Sequence, residues 1–87
     1  MKLIKCVELA NGERGPAGQF LRSYDPKTGF STWTIHKEKA MKFAEATAAF
    51  MLWKSVHERE PVRVHDGKPN RPLTAFTIAI EDDEDEV

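Results

Sequence analysis

The sequence predicts an α+β domain: an antiparallel sheet of three to four strands with one long helix packed on one face. Three observations predict this class. The first third of the chain alternates between apolar and polar residues and is divided by glycine- and proline-rich turns. Residues 36–58 contain no glycine or proline, and residues 73–80 alternate again. The predicted order is therefore β-β-β-α-β, in two layers.

The early strands are recognised by their composition and by the turns between them. Residues 2–10 are rich in apolar and β-branched types and end at a turn dipeptide, which predicts a first strand. Residues 11–18 contain three glycines and a proline and form a loop. Residues 19–24 and 30–35 are predicted to form a hairpin. Its turn, Asp25 to Gly29, places a proline early and a glycine last, as tight turns prefer.

One long helix is predicted over residues 36–58, which are rich in Ala, Lys, Glu, Met and Leu. Whether its first turn runs straight on or breaks near Ala44 stays open. The helix is expected to end at Glu60-Pro61, because the residue before a proline is pushed out of helical conformation. Trp53 is predicted to anchor the helix in the core. One apolar stripe at helical spacing is formed by Ala46, Ala49, Phe50, Trp53 and Val56.

The last strand has the clearest pattern in the chain. Phe76, Ile78 and Ile80 alternate with small or polar residues, so that one face is bulky and is expected to be buried. Before it, residues 62–64 are compatible with a short strand, and residues 65–72 form a turn-rich loop.

Charge is distributed unevenly along the chain. Its 87 residues include thirteen Lys and Arg and fourteen Asp and Glu, and six of the carboxylates lie between Glu81 and Glu86. Residues 1–80 therefore carry a formal net charge of +5. We expect one folded domain over residues 1–81. The acidic tail, residues 82–87, is expected to be disordered because its carboxylates repel and have nothing apolar to bury. Three roles fit the tail: solubility, folding back on the basic body, or docking to a protein.

Catalytic, metal and cofactor sites are not indicated. His36, His57 and His65 lack the close spacing of zinc ligands, and Cys6 lies far from them in a predicted strand. Apart from the tail, no pair of carboxylates stands in an apolar setting, so we predict that the protein is not an enzyme. A single cysteine and the absence of any long apolar stretch favour a cytoplasmic protein with no membrane partner.

Eight of the thirteen Lys and Arg residues are the predicted binding residues. Three of them cluster at the start of the predicted helix, where the helix dipole disfavours cations, so solubility alone does not explain their placement. The eight residues predicted to contact nucleic acid or another partner are Arg22, Lys27, Lys37, Lys39, Lys42, Arg63, Lys68 and Arg71.

Several segments together carry a resemblance. They are Trp33-Thr34, the stretch from Lys39 to Phe43, the Ala-rich helix with Trp53, and the segment from Asp66 to Ile78, DGKPNRPLTAFTI. The chain in this respect resembles a group of small uncharacterised bacterial and prophage-type proteins, over about residues 18–81. The resemblance implies an accessory role in a phage or mobile element. It supplies no activity, substrate or catalytic residue.

Two functional hypotheses follow. The first is a non-enzymatic, phage-type or mobile-element accessory domain that binds nucleic acid through its basic body; it requires the cations to converge on one face. The alternative is a protein–protein interaction module, an adaptor or inhibitor that uses a sheet edge or the tail to bind a host or phage protein. An exposed apolar patch or an unpaired strand edge would favour the alternative.

Overall fold

A computed structural model describes residues 1–83 of the chain. Its strands are β1 (Lys2–Leu9), β2 (Phe20–Asp25), β3 (Phe30–Thr34) and β4 (Phe76–Asp82), and its one α-helix in this range is α1 (Ala46–Trp53). Two 3-10 helices, Lys37–Lys39 and Pro72–Ala75, precede α1 and β4. The α+β class and the four-stranded antiparallel sheet are confirmed. No helix within residues 1–83 has the length and apolar character needed to cross a membrane.

The strands lie in the spatial order β3-β2-β1-β4, and all neighbours are antiparallel. This spatial order differs from the predicted β-β-β-α-β order along the chain, because the last strand returns to pair with the first. β1 pairs with β4 along almost its whole length, whereas β1 and β2 share a single pair of facing residues, Lys5 and Phe20. The predicted β2–β3 hairpin is present, and Gly29 at its turn has a φ of 75°.

The predicted long helix is wrong, because α1 is only eight residues long. The residues that precede α1 form backbone hydrogen bonds with the sheet instead of helical ones. The Met41 amide donates to the Leu21 carbonyl at 2.9 Å, and Phe43 pairs with Lys2. Residues 41–43 are therefore extended against the sheet, which breaks the helical segment. Helix propensity in this segment is overridden by pairing with the sheet.

On its C-terminal side α1 ends well before the predicted Glu60-Pro61. The His57 amide donates to the Asn70 carbonyl at 2.7 Å, and the Glu58 amide donates to the Pro26 carbonyl at 2.9 Å. These bonds tie the chain after α1 to the long loop and to the hairpin turn. The expected strand at residues 62–64 is reduced to one bridge between Val62 and Pro69.

The core is small and lies mainly between α1 and the sheet. Ile4, Leu21, Ala49 and Leu73 are fully buried and in contact, and partly buried aromatic residues surround them. A second, smaller cluster joins Leu3, Phe20 and Ala40. Leu3 and Ile4 are successive residues of β1, so their side chains leave opposite faces of the sheet, and each face carries one cluster.

The predicted apolar stripe on the helix is only partly buried. Ala49 is in the core and Trp53 packs against it, but Phe50 is 43% exposed and Val56 is 40% exposed. With only eight residues, α1 covers less of the sheet than the predicted helix would. Apolar side chains of α1 and β4 therefore stay accessible.

β4 extends past residue 81, the last residue of the predicted domain. Asp82 is the last residue of β4, and the amide of the buried Asp83 donates to the Met1 carbonyl at 2.9 Å. The first two residues of the predicted tail therefore belong to the sheet and its end. The prediction of disorder for the remainder, residues 84–87, lies outside the described residues.

Candidate functional site

The outer edge of β4 is the feature that most suggests a binding site. β4 is the last strand in the order β3-β2-β1-β4, so within residues 1–83 its outer edge has no strand partner. Such an edge presents a row of backbone donors and acceptors to any chain that can align with it.

The register of β4 against β1 shows which residues present those groups. In an antiparallel pair of strands, facing residues alternate between pairs that exchange hydrogen bonds and pairs that do not. The hydrogen bond between Asp83 and Met1 shows which facing pairs of β1 and β4 are of each kind. Ile4 faces Ile80, and Cys6 faces Ile78, at non-bonded positions. The backbone N–H and C=O groups of Ile78 and Ile80 therefore point outward, away from β1.

An apolar groove runs along this edge, between α1 and β4. Its volume is about 430 Å³, and its walls are formed by Phe50 and Trp53 of α1 and by Phe76, Ile78 and Ile80 of β4. All three β4 residues are intermediate in exposure. The expectation that this bulky face is buried holds in part: the three residues pack against the core, and the short helix leaves their remaining surface open to the groove.

A hydrogen bond fixes the helical wall of the groove. The Trp53 indole Nε1–H donates to the Phe76 carbonyl at 3.1 Å, and the rings of Phe50 and Trp53 lie 5.7 Å apart. The rings of Trp33 and Phe76 are also in contact, with their centroids 4.9 Å apart. The rings of Phe50, Trp53 and Phe76 thus form walls of the groove and do not fill its interior.

A second, polar pocket adjoins the groove at the start of β4. It has a volume of about 390 Å³, and Arg63, Asn70, Arg71 and Thr74 are among the residues that line it. Thr74 also lines the apolar groove, so the two cavities lie side by side. Arg63 forms an ion pair with Asp66 at 2.7 Å.

The opposite end of β4 is acidic and is paired with lysines of the body. Glu81 lies 3.5 Å from the Lys5 ammonium, Asp82 pairs with Lys2, and Asp83 pairs with Lys42. The hydrogen bond and charge of Lys2 lower the pKa of the Asp82 carboxyl. Asp82 and Asp83, the first two residues of the predicted tail, therefore pair with lysines of the body, and the three roles considered for the tail stay predictions.

The predicted basic residues fall into two groups. Lys37, Lys39 and Lys42 lie together around the first 3-10 helix, and the Lys42 ammonium donates to the Lys37 carbonyl at 3.0 Å. This group is near the start of β2, because residues 41–43 pair with Leu21 and Lys2.

The second group belongs to the hairpin turn and the long loop. Lys27 follows Pro26, which accepts the Glu58 amide, and the loop beyond residue 58 carries Arg63, Lys68 and Arg71. The turn lies at the far end of β2 from residues 41–43, in a molecule 47 Å long and 18 Å thick. Arg22 is exposed on β2 between the two groups. The described residues thus place Lys37, Lys39 and Lys42 near one end of β2 and the second group near its other end.

Other reactive or titratable side chains do not form a site in the described part of the chain. Cys6 is buried, and burial raises the pKa of its thiol. The Tyr24 hydroxyl is buried without a hydrogen-bond partner among residues 1–83, and burial, Asp25 and Glu58 raise its pKa. The His57 ring accepts two backbone amides at Nδ1, which makes it a local cap. Among residues 1–83 no three His, Cys, Asp or Glu side chains are grouped closely enough to hold a metal ion.

The groove residues were predicted as core, not as a site. Their apolar character and their spacing are those of core residues, so the pattern alone could not distinguish the two. One signal was available: Phe50 and Met51 are adjacent, so on any helix they point about 100° apart and cannot both face the centre of a single sheet.

The chain matches no protein-family model, no curated protein and no solved structure. The resemblance to prophage-type proteins stays a prediction.

Proposed function

We propose that the domain is a protein-binding module that accepts an extended segment of polypeptide along the outer edge of β4. The observation that carries this proposal is the combination of an unpartnered edge with an apolar groove of about 430 Å³ beside it. Strand addition of this kind uses backbone hydrogen bonds for affinity and alternate side-chain pockets for specificity.

The edge supplies both of these components. Outward N–H and C=O groups of Ile78 and Ile80 can bond an incoming strand at two positions one repeat apart. Side chains on one face of that strand would enter the groove between Phe50 and Phe76, while the alternate side chains would stay in solvent. A ligand with alternating apolar residues therefore suits the site.

The polar pocket at the start of β4 adds a preference for negatively charged residues in the ligand. A strand that runs antiparallel to β4 reaches this pocket with its C-terminal end, where Arg71 favours carboxylates and Arg63 already pairs with Asp66. The chemistry of the favoured ligand is therefore an extended segment with alternating apolar residues, followed by acidic residues.

A direct test uses a synthetic peptide of alternating valine and threonine residues that ends in glutamates. Added to the isotope-labelled protein, it should shift the amide resonances of Ile78 and Ile80. A permuted peptide with all its valines adjacent is the control ligand. No shift at either amide with the alternating peptide, at millimolar concentration, would overturn the proposal.

Two matched variants test the groove itself. Phe50→Ser removes part of the groove wall, whereas Met51→Ser makes the same kind of change at a neighbouring side chain that is 55% exposed and does not line the groove. We expect the first variant to weaken peptide binding about fivefold or more, because it removes roughly 1 kcal/mol or more of apolar contact. The second variant should bind like the wild type, and equal loss in both would count against the groove.

Nucleic-acid binding by a phage-type accessory domain is the second candidate. Lys2, Lys5 and Lys42 are held by the carboxylates of Glu81 to Asp83, so that the acidic segment occupies cations that could meet a polyanion. Deleting residues 82–87 would release two of these lysines. The separation of the remaining cations into two groups gives this candidate less support than the open edge gives the first.

Titration of labelled single- and double-stranded DNA separates the two candidates. Under the second, deletion of residues 82–87 strengthens DNA binding, and the gain shrinks as salt rises because exposed charges are screened. Counterion release should also make the affinity of the truncated chain fall steeply with salt. If neither chain binds DNA at about 50 mM salt, where phosphate contacts are strong, nucleic-acid binding is refuted.

A further inference from the structure

Resting on the proposed function, we propose that the segment bound along the β4 edge is β4 of a second copy of this chain. The two strands would pair antiparallel about a two-fold axis at Ala79 and join the two sheets into one. A two-fold interface of this kind brings the same surface of each copy together.

The register of the two strands follows from which β4 residues have backbone N–H and C=O groups that point outward. Outward-pointing groups belong to Ile78 and Ile80 and, by the same alternation, to Phe76 and Asp82 at the ends of the strand. Pairing about Ala79 sets Ile78 opposite Ile80 of the second copy, and Phe76 opposite its Asp82. The outward groups of Ile78 and Ile80 then face outward groups of the second copy. At the ends of the paired strands only the Phe76 amide is left to bond Asp82 of the second copy, because the Phe76 carbonyl already accepts the Trp53 indole N–H.

The sequence of β4 has the chemistry that the site selects. Its side chains on the helix side are apolar from Phe76 to Ile80, and acidic residues follow directly from Glu81. In the antiparallel register, the acidic end of one copy passes Phe76 of the other and continues toward Arg71. Charge complementarity therefore supports the same register as the hydrogen bonds.

Only a second copy can bring those acidic residues to that pocket. β4 spans about 20 Å from Phe76 to Asp82 at the usual rise per residue. Residues 84–87 reach at most about 14 Å when fully extended. The acidic residues 84–86 follow the end of β4 that is distant from Arg71, so within this reach their backbone cannot run back along β4 to Arg71 of their own chain, whereas an antiparallel neighbour delivers them there.

The first experiment measures molar mass by sedimentation over a range of concentrations. Wild-type protein should convert from monomer to dimer as concentration rises. In Ala79→Glu, two glutamates would face each other across the axis, and this should weaken the dimer about fivefold or more. The monomer should tolerate the change, because Lys5 faces position 79 within the chain.

Val7→Glu is the matched control for Ala79→Glu. Val7 is 49% exposed on β1, an interior strand of the sheet, so the variant adds the same charge away from the edge. It should dimerise like the wild type. A dimer that is unaffected by Ala79→Glu, or weakened equally by both variants, would refute the β4 interface.

A charge-swap experiment tests the contact between the tail and the arginine. One chain carries Arg71→Glu, and the other carries Glu84→Lys, Asp85→Lys and Glu86→Lys. Each chain alone should dimerise less than the wild type, because its tail and its residue 71 have like charges. A mixture should form heterodimers, because each tail then meets a residue of opposite charge. No preference for the heterodimer over the two homodimers would overturn the inference.

The two proposals fail in different ways. If the wild-type chain stays monomeric at millimolar concentration but the alternating peptide shifts Ile78 and Ile80, the second copy is the wrong occupant and the binding edge stands. If neither self-association nor peptide binding occurs at the edge, both proposals are refuted.

Discussion

Replacement of Trp53 probes how the short helix is attached to the sheet. Its indole N–H donates to the Phe76 carbonyl, and its ring is partly buried against the core. Trp53→Phe removes the hydrogen bond and keeps most of the packing, so it should cost about 1 kcal/mol. Trp53→Ala also removes the ring; because the ring is only partly buried, we expect about 2 to 3 kcal/mol, below the range for a fully buried tryptophan.

Urea denaturation followed by circular dichroism measures these differences. The dependence of the free energy of unfolding on urea should be unchanged in both variants, because the surface exposed on unfolding is nearly the same. Met51→Ala, at an exposed position on the same helix, is the control and should stay within about 0.5 kcal/mol of the wild type. If Trp53→Ala costs no more than this control, α1 is not docked through Trp53 and the groove lacks its described wall.

Three further predictions concern the core, the acidic end of β4 and the cysteine. Leu73→Ala, at a side chain 1% exposed, should cost about 3 kcal/mol in urea denaturation, whereas Val64→Ala, at 98% exposure, should cost almost nothing; equal costs would contradict the described core. The Asp82 carboxyl should titrate below its ordinary pKa by NMR and return toward it in Lys2→Met. Because folding lowers the pKa of the Asp82 carboxyl, the ion pair between Asp82 and Lys2 stabilises the fold above about pH 4. This stabilisation is lost as the pH falls through the pKa that Asp82 has in the folded state. Burial and a raised pKa keep the Cys6 thiol protonated and covered, so alkylation should be slow in native protein and fast in urea; rapid native alkylation would show that β1 opens.

The strands could be predicted from the sequence because their signals are local. The turn from Asp25 to Gly29 and the alternation from Phe76 to Ile80 each depend on a few neighbouring residues. The helix length could not be predicted in the same way. Residues 41–43 have good helix propensity, but they leave the helix for hydrogen bonds with Leu21 and Lys2, which are distant in sequence.

The candidate site was harder to predict than the fold. A strand edge exists only once the spatial order of the strands is known, and that order depends on β4 returning to β1. The side chains of Phe50 and Ile78 have the pattern of core residues, and their exposure follows from a helix shorter than the sequence predicts. The basic residues were visible in the sequence, but their division between two regions depends on where the long loop attaches.

Amide hydrogen exchange at the β4 edge tests the binding proposal most directly. In dilute protein the Ile78 and Ile80 amides, which point outward, should exchange much faster than the Ala79 amide, which bonds to β1. Raising the protein concentration, or adding the alternating peptide, should slow exchange at Ile78 and Ile80 and leave Ala79 nearly unchanged. Fast exchange at Ile78 and Ile80 under both conditions would contradict the proposal that this edge binds a strand.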